Sequence, residues 1–451
     1  MVALSRLLLT FLGLVAFWFL FSFLASPELQ NVPNTLSPEA LAEIEASRSS
    51  KIRPRDRVRI NQEVDYSRGK EAPWYPRGES PLLQELVEAG QLPPVEERVG
   101  PEPVVMKGVE GLGNYGGTWV QNRNNKRNVG TFGTFYSGTH LVRWSPAGEP
   151  IVPHVARAIE VQNEGRDFIF HLRKGMRWSD GHPFTADDIL YWYEQEVLDP
   201  SMSVGVRNVL RHRGELGQVE KIDSHTVAFR FQSPNGLFLR LMGTIVGADV
   251  TSTPAHYLRQ FHPTVGDPEL INKAMDQRQT PTRRALYEDV KRWDNPEHPR
   301  LWPFLFRSYK GTPPYVWVRN PYYFAVDPAG NQLPYMDRVL FLLKAQNLQP
   351  LAAAGGDVSV GGGRLEHYTL LMDQRESGGY SIRYLSTGDG SNAAIFPNFT
   401  KKRTAADPDA AKKEALMRRA EFRQALSLAI NREAIIDVEY LGLTEPAQVG
   451  P

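Results

Sequence analysis

The sequence predicts a mixed α/β protein of more than one lobe, on three observations. Its 451 residues exceed what one hydrophobic core of ordinary size organises. From Tyr115 onward, segments alternating apolar and polar side chains are interleaved with segments of helical period. Apolar residues make up 41% and charged residues 23%, a composition that can bury cores over most of the chain.

The elements follow in order. Gly116-Gly-Thr-Trp-Val120 reads as a turn entering a strand. Phe168, Phe170 and Leu172 alternate with Ile169, His171 and Arg173, the period of a strand with unequal faces, and Lys174-Gly175 ends it. The turn Ser179-Asp-Gly181 leads to Thr185, a helix N-cap. Asp187 and Asp188 follow in the first turn, where the helix dipole favours carboxylates, and the helix is expected to run through Tyr193. Further strands are expected at Thr226 to Phe231, Tyr315 to Arg319, Val339 to Leu343 and Tyr380 to Leu385. Phe422, Ala425, Leu426 and Ala429 form one apolar helical face, and Asn431 caps a second helix that Gly442 ends.

The N-terminal quarter differs. Leu7 to Ala25 is an almost unbroken apolar run behind Arg6, long enough at roughly 20 residues to cross a bilayer, so 1–25 reads as a signal peptide or transmembrane anchor. Residues 26–113 are rich in Pro, Arg and Glu and read as a linker with one short helix, starting at Pro81 after Ser80. The folded body is then expected outside the cytoplasm, with the membrane as a contact through residues 7–25.

Several chemistries are excluded. There is no cysteine, so disulfides, thiolate metal sites, cysteine nucleophiles and an acylated N-terminal cysteine are absent. Lys plus Arg number 52 against 51 Asp plus Glu, which leaves no field for nucleic acid. Gly111-Leu-Gly-Asn-Tyr-Gly116 has the G-x-G-x-x-G spacing of a dinucleotide site, but a Pro-rich segment precedes it and a strand follows, so it reads as a turn. No phosphate loop, zinc helix or nucleophile elbow is present. His256 and His262 lack the i, i+4 spacing and patterned acids of a metal site, and adjacent Asp187 and Asp188 diverge on a helix. No metal, cofactor or catalytic residue is expected. Aromatic residues, 10% of the chain, read chiefly as core, with some free to line a cleft.

One long segment is distinctive: Leu141-Val-Arg-Trp-Ser-Pro-Ala-Gly-Glu-Pro-Ile-Val-Pro-His-Val-Ala156, followed by Phe168-Ile-Phe-His-Leu-Arg-Lys-Gly-Met-Arg-Trp-Ser-Asp-Gly-His-Pro-Phe-Thr-Ala-Asp-Asp-Ile189. It closely resembles the family 5 extracellular solute-binding proteins, the oligopeptide, dipeptide and nickel class of bacterial ABC importers. Leu92 to Arg98, Tyr115 to Thr118, Asn320 to Asp337 and Phe422 to Arg432 agree with the same family in order. Gly355-Gly-Asp-Val-Ser-Val-Gly-Gly-Gly363 departs from its pattern.

The resemblance implies a periplasmic binding protein-like α/β fold: two large lobes around a cleft, with a smaller subdomain in the N-terminal half. On that plan 114–395 is the N-terminal lobe including the subdomain, and 396–451 is the start of a second lobe, read as truncated at Pro451. It implies a non-enzymatic, extracytoplasmic protein that captures a small solute, a peptide first of all, and delivers it to ABC permease subunits, with ATPase subunits indirectly engaged. Tyr136, His140, Trp144 and Asn398, polar or aromatic residues at turns beside the motif strands, are the candidate ligand contacts. The rival readings are a membrane-tethered receptor without a transport role and a secreted hydrolase, the latter lacking any nucleophile motif.

Overall fold

The computed structural model describes residues 60–108, 111–133, 138–145, 150–202, 209–308, 311–361, 367–383 and 407–440, with Ala42, Phe396, Asn398, Gly442 and Pro446. The apolar run Leu7 to Ala25 lies outside them, and among the described residues no helix is long and apolar enough to cross a membrane. The chain divides into two compact units. The larger is Ile52–Gly362 with Ser377–Gly379, and the smaller is Met1–Lys51, Gly363–Glu376 and Tyr380–Pro451.

In chain order the described strands are β1 (Val104–Val105), β2 (Thr118–Arg123), β3 (Val142–Trp144), β4 (Ile151–Pro153), β5 (Ala156–Gln162), β6 (Asp167–Leu172), β7 (Arg211–His212), β8 (Glu215–Leu216), β9 (Gln218–Asp223), β10 (Thr226–Arg230), β11 (Phe304–Phe306), β12 (Tyr315–Arg319), β13 (Ala325–Val326) and β14 (Arg338–Leu343). All belong to the larger unit.

An antiparallel sheet in the order β5-β6-β10-β9 carries the first core. The expected alternation in β6 is observed: Phe168, Phe170 and Leu172 are buried, while Ile169 and His171 are half-buried. Phe168 and Phe229 pack on Phe238 with ring centroids 4.7 and 5.3 Å apart. The strand ends where Gly175 takes a φ of 80°, a left-handed value open to glycine.

The helix Ala186–Tyr191 begins with a capping box between Thr185 and Asp188. Its two acids have separate tasks. Asp187 is exposed and pairs with Lys221 Nζ at 2.6 Å. Asp188 is buried and accepts the backbone N–H of Thr185 and Ala255 and the indole N–H of Trp178, at 3.1, 2.9 and 3.2 Å. The helix does not stop at Tyr193 but widens into a π-helical turn, Trp192–Val197. That turn carries Glu196 inside, where Lys291 Nζ reaches both carboxylate oxygens at 2.6 Å and Tyr287 donates at 2.8 Å.

A second sheet, β11-β12-β14-β2, is antiparallel except for the parallel β14–β2 pair. Phe132 packs there against Trp317 and Phe341, with ring centroids 5.3 and 5.2 Å apart. The turn reading of Gly111 to Gly116 holds: Gly116 and Gly117 have φ of 115° and 83°, and β2 follows them.

The linker expectation for 26–113 does not hold where the chain is described. Residues 60–108 pack against the body: β1 pairs in parallel with β13, and Trp74, Val95, Val99 and Val105 bury themselves with Val326. Arg98, fully buried, hydrogen-bonds Pro93 O at 2.8 Å and Gln332 Oε1 at 3.1 Å, and also meets Pro321 O and the Glu79 carboxylate. The sequence misleads because these apolar residues are scattered. They meet only when the chain wraps onto β13. The expected helix is present as Pro81–Glu88.

In the smaller unit the helices Ala410–Arg418, Ala420–Leu428 and Arg432–Tyr440 follow one another. Asn431 Oδ1 accepts from Ala434 N at 3.0 Å, as a cap should, and Gly442 takes a φ of 69°. The strand expected from Tyr380 is not formed over Tyr380 to Arg383, and Leu385 lies outside the described residues. Tyr380 instead turns back, its hydroxyl donating to Leu371 O at 2.5 Å.

Candidate functional site

The chain from Phe132 to Trp144 passes from the aromatic core of the second sheet to the core of the first, which Leu141 and Val142 enter. There β3 and β4 form a hairpin with Val142 opposite Pro153, Arg143 opposite Val152 and Trp144 opposite Ile151. Its pairing continues beyond the strands, with His154 N donating to Leu141 O at 3.1 Å and Val155 N to His140 O at 3.1 Å. His154 Nδ1 lies 3.3 Å from the same His140 carbonyl. The hairpin thus brings His140 and His154 together from opposite sides of its turn.

The packing fixes this arrangement. Trp144 is half-buried, and its indole lies over Gly243, where an added Cβ would meet Trp144 Cδ1 at 3.1 Å. Arg173 clamps the other side: Nε donates to His154 O at 2.6 Å, and Nη1 donates to Tyr66 Oη at 2.6 Å and Pro103 O at 3.0 Å. Phe324 packs edge-on to His154 at 5.3 Å.

The polar groups inside are poorly served. His140 is buried, and neither ring nitrogen has a hydrogen-bond partner. The same holds for His154 Nε2 and Thr139 Oγ1. Burial, with the positive charge of Arg143 adding to it, pushes the His140 imidazole down to about 4. Burial also holds His154 well below the usual histidine range, and Arg143, His140 and Arg173 act in the same direction. Both rings are therefore neutral at pH 7; His154 Nδ1 carries its proton toward the His140 carbonyl and leaves Nε2 as an acceptor, while His140 keeps one N–H donor and one acceptor nitrogen unused. Arg143 itself is half-buried.

Of the four candidate contacts, His140 and Trp144 share this hairpin. Tyr136 lies outside the described residues. Asn398 is exposed and belongs to the smaller unit. Sequence reasoning missed Thr139 and His154. The signal for His154 was the near-symmetric placing of His140 and His154 about the Ser145 to Pro150 turn.

His256 and His262 have partners within the protein. His262 is fully buried with Nε2 2.9 Å from Gln195 O, and His256 Nε2 lies 2.7 Å from Asp180 Oδ2. Among the described residues no three His, Asp or Glu side chains gather to hold a metal ion. Trp178, Trp192 and Trp317 are fully buried, as core residues.

Residues 150–451, which begin at the second strand of this hairpin, match the family described as bacterial extracellular solute-binding proteins, family 5 Middle. The chain belongs to that family. The periplasmic alpha-galactoside-binding protein of Rhizobium meliloti (strain 1021) is 27% identical over 389 residues, covering 78% of this chain and 52% of its own. A probable ABC transporter-binding protein of Deinococcus radiodurans is 25% identical over 323 residues, covering 69% of this chain and 49% of its own. This family 5 chain therefore spans about half the length of those curated relatives. Among solved structures, an oligopeptide-binding protein OppA is 36% identical with a TM-score of 0.68, covering 82% of this chain and 58% of that one. The periplasmic binding protein MelB of Agrobacterium fabrum C58, in complex with stachyose, shares the fold with a TM-score of 0.56 at 22% identity, covering 86% of this chain and 60% of that one. The fold is thus that of the periplasmic binding proteins, and the family's members are extracytoplasmic binding proteins.

Proposed function

We propose that this chain supplies the solute-capturing component of an ABC importer, working outside the cytoplasmic membrane on peptides or similar small solutes. Membership of family 5 over 150–451 carries the reading, and the names of the OppA and Deinococcus relatives agree with it. His140 and Trp144 are its proposed solute contacts, with Tyr136 and Asn398 as further candidates. The buried unpartnered nitrogens of His140 support this, because a buried polar group costs free energy until something hydrogen-bonds it. Capture needs no chemistry. A solute that prefers one arrangement of a binding protein shifts its population toward that arrangement, which a permease can then distinguish.

The Rhizobium relative, an alpha-galactoside-binding protein, favours oligosaccharide as a second solute class. Titration calorimetry with tripeptides and with raffinose separates the two. Saturable binding of either supports capture, and heat from neither removes the reading. We also propose that residues 7–25 export or tether the body. Protease added to spheroplasts should digest it, and survival until lysis would overturn the location.

A further inference from the structure

The larger unit contains a helical part, Ala255–Leu258, Pro268–Arg278 and Arg283–Val290, whose own core gathers Leu258, Ile271, Leu286, Tyr287 and Val290. Residues 291–303 join it to β11 of the second sheet. Polar contacts hold this joint. Arg300 donates to Arg292 O at 2.7 Å and Lys291 O at 3.2 Å, and Asn295 Nδ2 donates to Val290 O at 2.6 Å and Tyr257 Oη at 3.0 Å. Arg300 N also donates to Ser179 Oγ, and Ser179 N to Arg300 O, both at 3.0 Å.

His298 lies inside the joint, 2% exposed, and neither of its ring nitrogens has a hydrogen-bond partner in the protein. The Tyr257 ring stands edge-on to it at 5.6 Å. The charged groups that reach the imidazole are Arg300, Lys291 and His256, and no carboxylate is among them. The carboxylates of the neighbouring elements are engaged elsewhere: Glu196 with Lys291, Asp180 with His256, Asp294 with Arg292 and Lys126, and Asp289 and Glu297 with Arg278. A proton on His298 would therefore add a cation to a buried place that already holds cations and offers no counterion. Burial, with the charges of Arg300, Lys291 and His256 adding to it, holds the ring well below the usual histidine range.

A histidine that can take its proton only by leaving its place couples acid to opening. We propose that His298 is an acid-released latch: on gaining a proton it frees the 291–303 joint, and the helices between 255 and 290 loosen while the two sheets stay folded. Regions with separate cores can open separately, and the helical core is distinct from that of the first sheet. The opened form takes the proton near the ordinary value of 6.5, and the closed form resists it. The latch therefore holds fully above about 6.5 and weakens as pH falls, the open population rising about tenfold for each pH unit. The inference does not depend on solute capture, and its test needs no solute.

Hydrogen exchange of the full 451-residue chain, corrected for the intrinsic pH dependence of exchange, should show protection over 255–290 falling about tenfold between pH 6 and pH 5. Protection in β6 and β10 should exceed that of the helices at both values. His298→Asn should flatten the fall, and His140→Asn should leave it in place. Ring-carbon resonances of His298 in the unaltered protein give a second readout, which stands even where the variant fails to fold: the ring should stay neutral in molecules that remain closed at pH 5. Protection that does not change with pH, or a fall that His298→Asn leaves unchanged, overturns the latch. So does a His298 ring that gains its proton near pH 6.5 with the helices still protected.

Discussion

At His140 two requirements conflict: the hairpin holds the ring inside, and nothing described there answers its nitrogens. Protonation would put a charge beside Arg143 in a dry place. The unfolded chain accepts that proton near the ordinary value of 6.5, whereas the folded protein resists it down to about 4. Acid therefore favours the unfolded chain. The stabilisation is fully present above about 6.5, is lost as pH falls toward about 4, and amounts to about 3 kcal/mol for this one group. Urea unfolding between pH 7 and pH 4 should show stability falling over that window, and His140→Asn should flatten the fall. An unchanged slope in the variant would mean that His154 or His298, also held well below the usual range, carries it. Some of this was legible. His140 and Trp144 stand out as a polar and an aromatic residue beside a turn, but their burial depends on Gly243, Arg173 and Phe324, which are remote in sequence.

The strand–turn–helix from β6 to Ala186–Tyr191 is the element most fully written in local sequence. Period-two alternation, a glycine stop, a Ser-Asp-Gly turn and a Thr cap each act over a few residues, and all appear where expected. Local signals do not say that Asp188 also reaches Trp178 and Ala255. Thr185→Ala should therefore cost about 1 kcal/mol, the worth of one cap. Asp188→Ala should cost about 3 kcal/mol, because three donors lose their acceptor inside the protein. Urea denaturation of both variants checks the order, and a larger loss at Thr185 would contradict it. The absent strand at Tyr380 teaches the converse. Short apolar alternation does not make a strand without a neighbour to pair with, and Tyr380 bonds to Leu371 O instead.

At the scale of the whole molecule, the larger unit depends on the segment at 60–108, which wraps onto β13 and inserts Arg98. Arg98→Ala should cost about 3 to 5 kcal/mol, since it leaves the Glu79 carboxylate, Pro93 O and Gln332 Oε1 without their donor. The melting point should fall, and limited proteolysis should begin within 60–108. An unchanged digestion pattern would show that the apolar contacts of Trp74, Val95 and Val99 suffice. Lys70, exposed opposite Glu96, is the control, and Lys70→Ala should leave melting unchanged.

By itself the sequence determined the mixed α/β class, the family, most strands, the helix caps and the exclusion of cysteine chemistry, because periodicity, turn residues and motifs act within a few positions of one another. The tertiary structure decided which of those residues are buried, that 60–108 is packed, and that His140, Arg143 and His154 share one hairpin. Burial arises from groups far apart in the chain. Only the folded molecule brings Arg173, Gly243 and Phe324 to the hairpin and encloses His140 with its ring nitrogens unpartnered among the described residues.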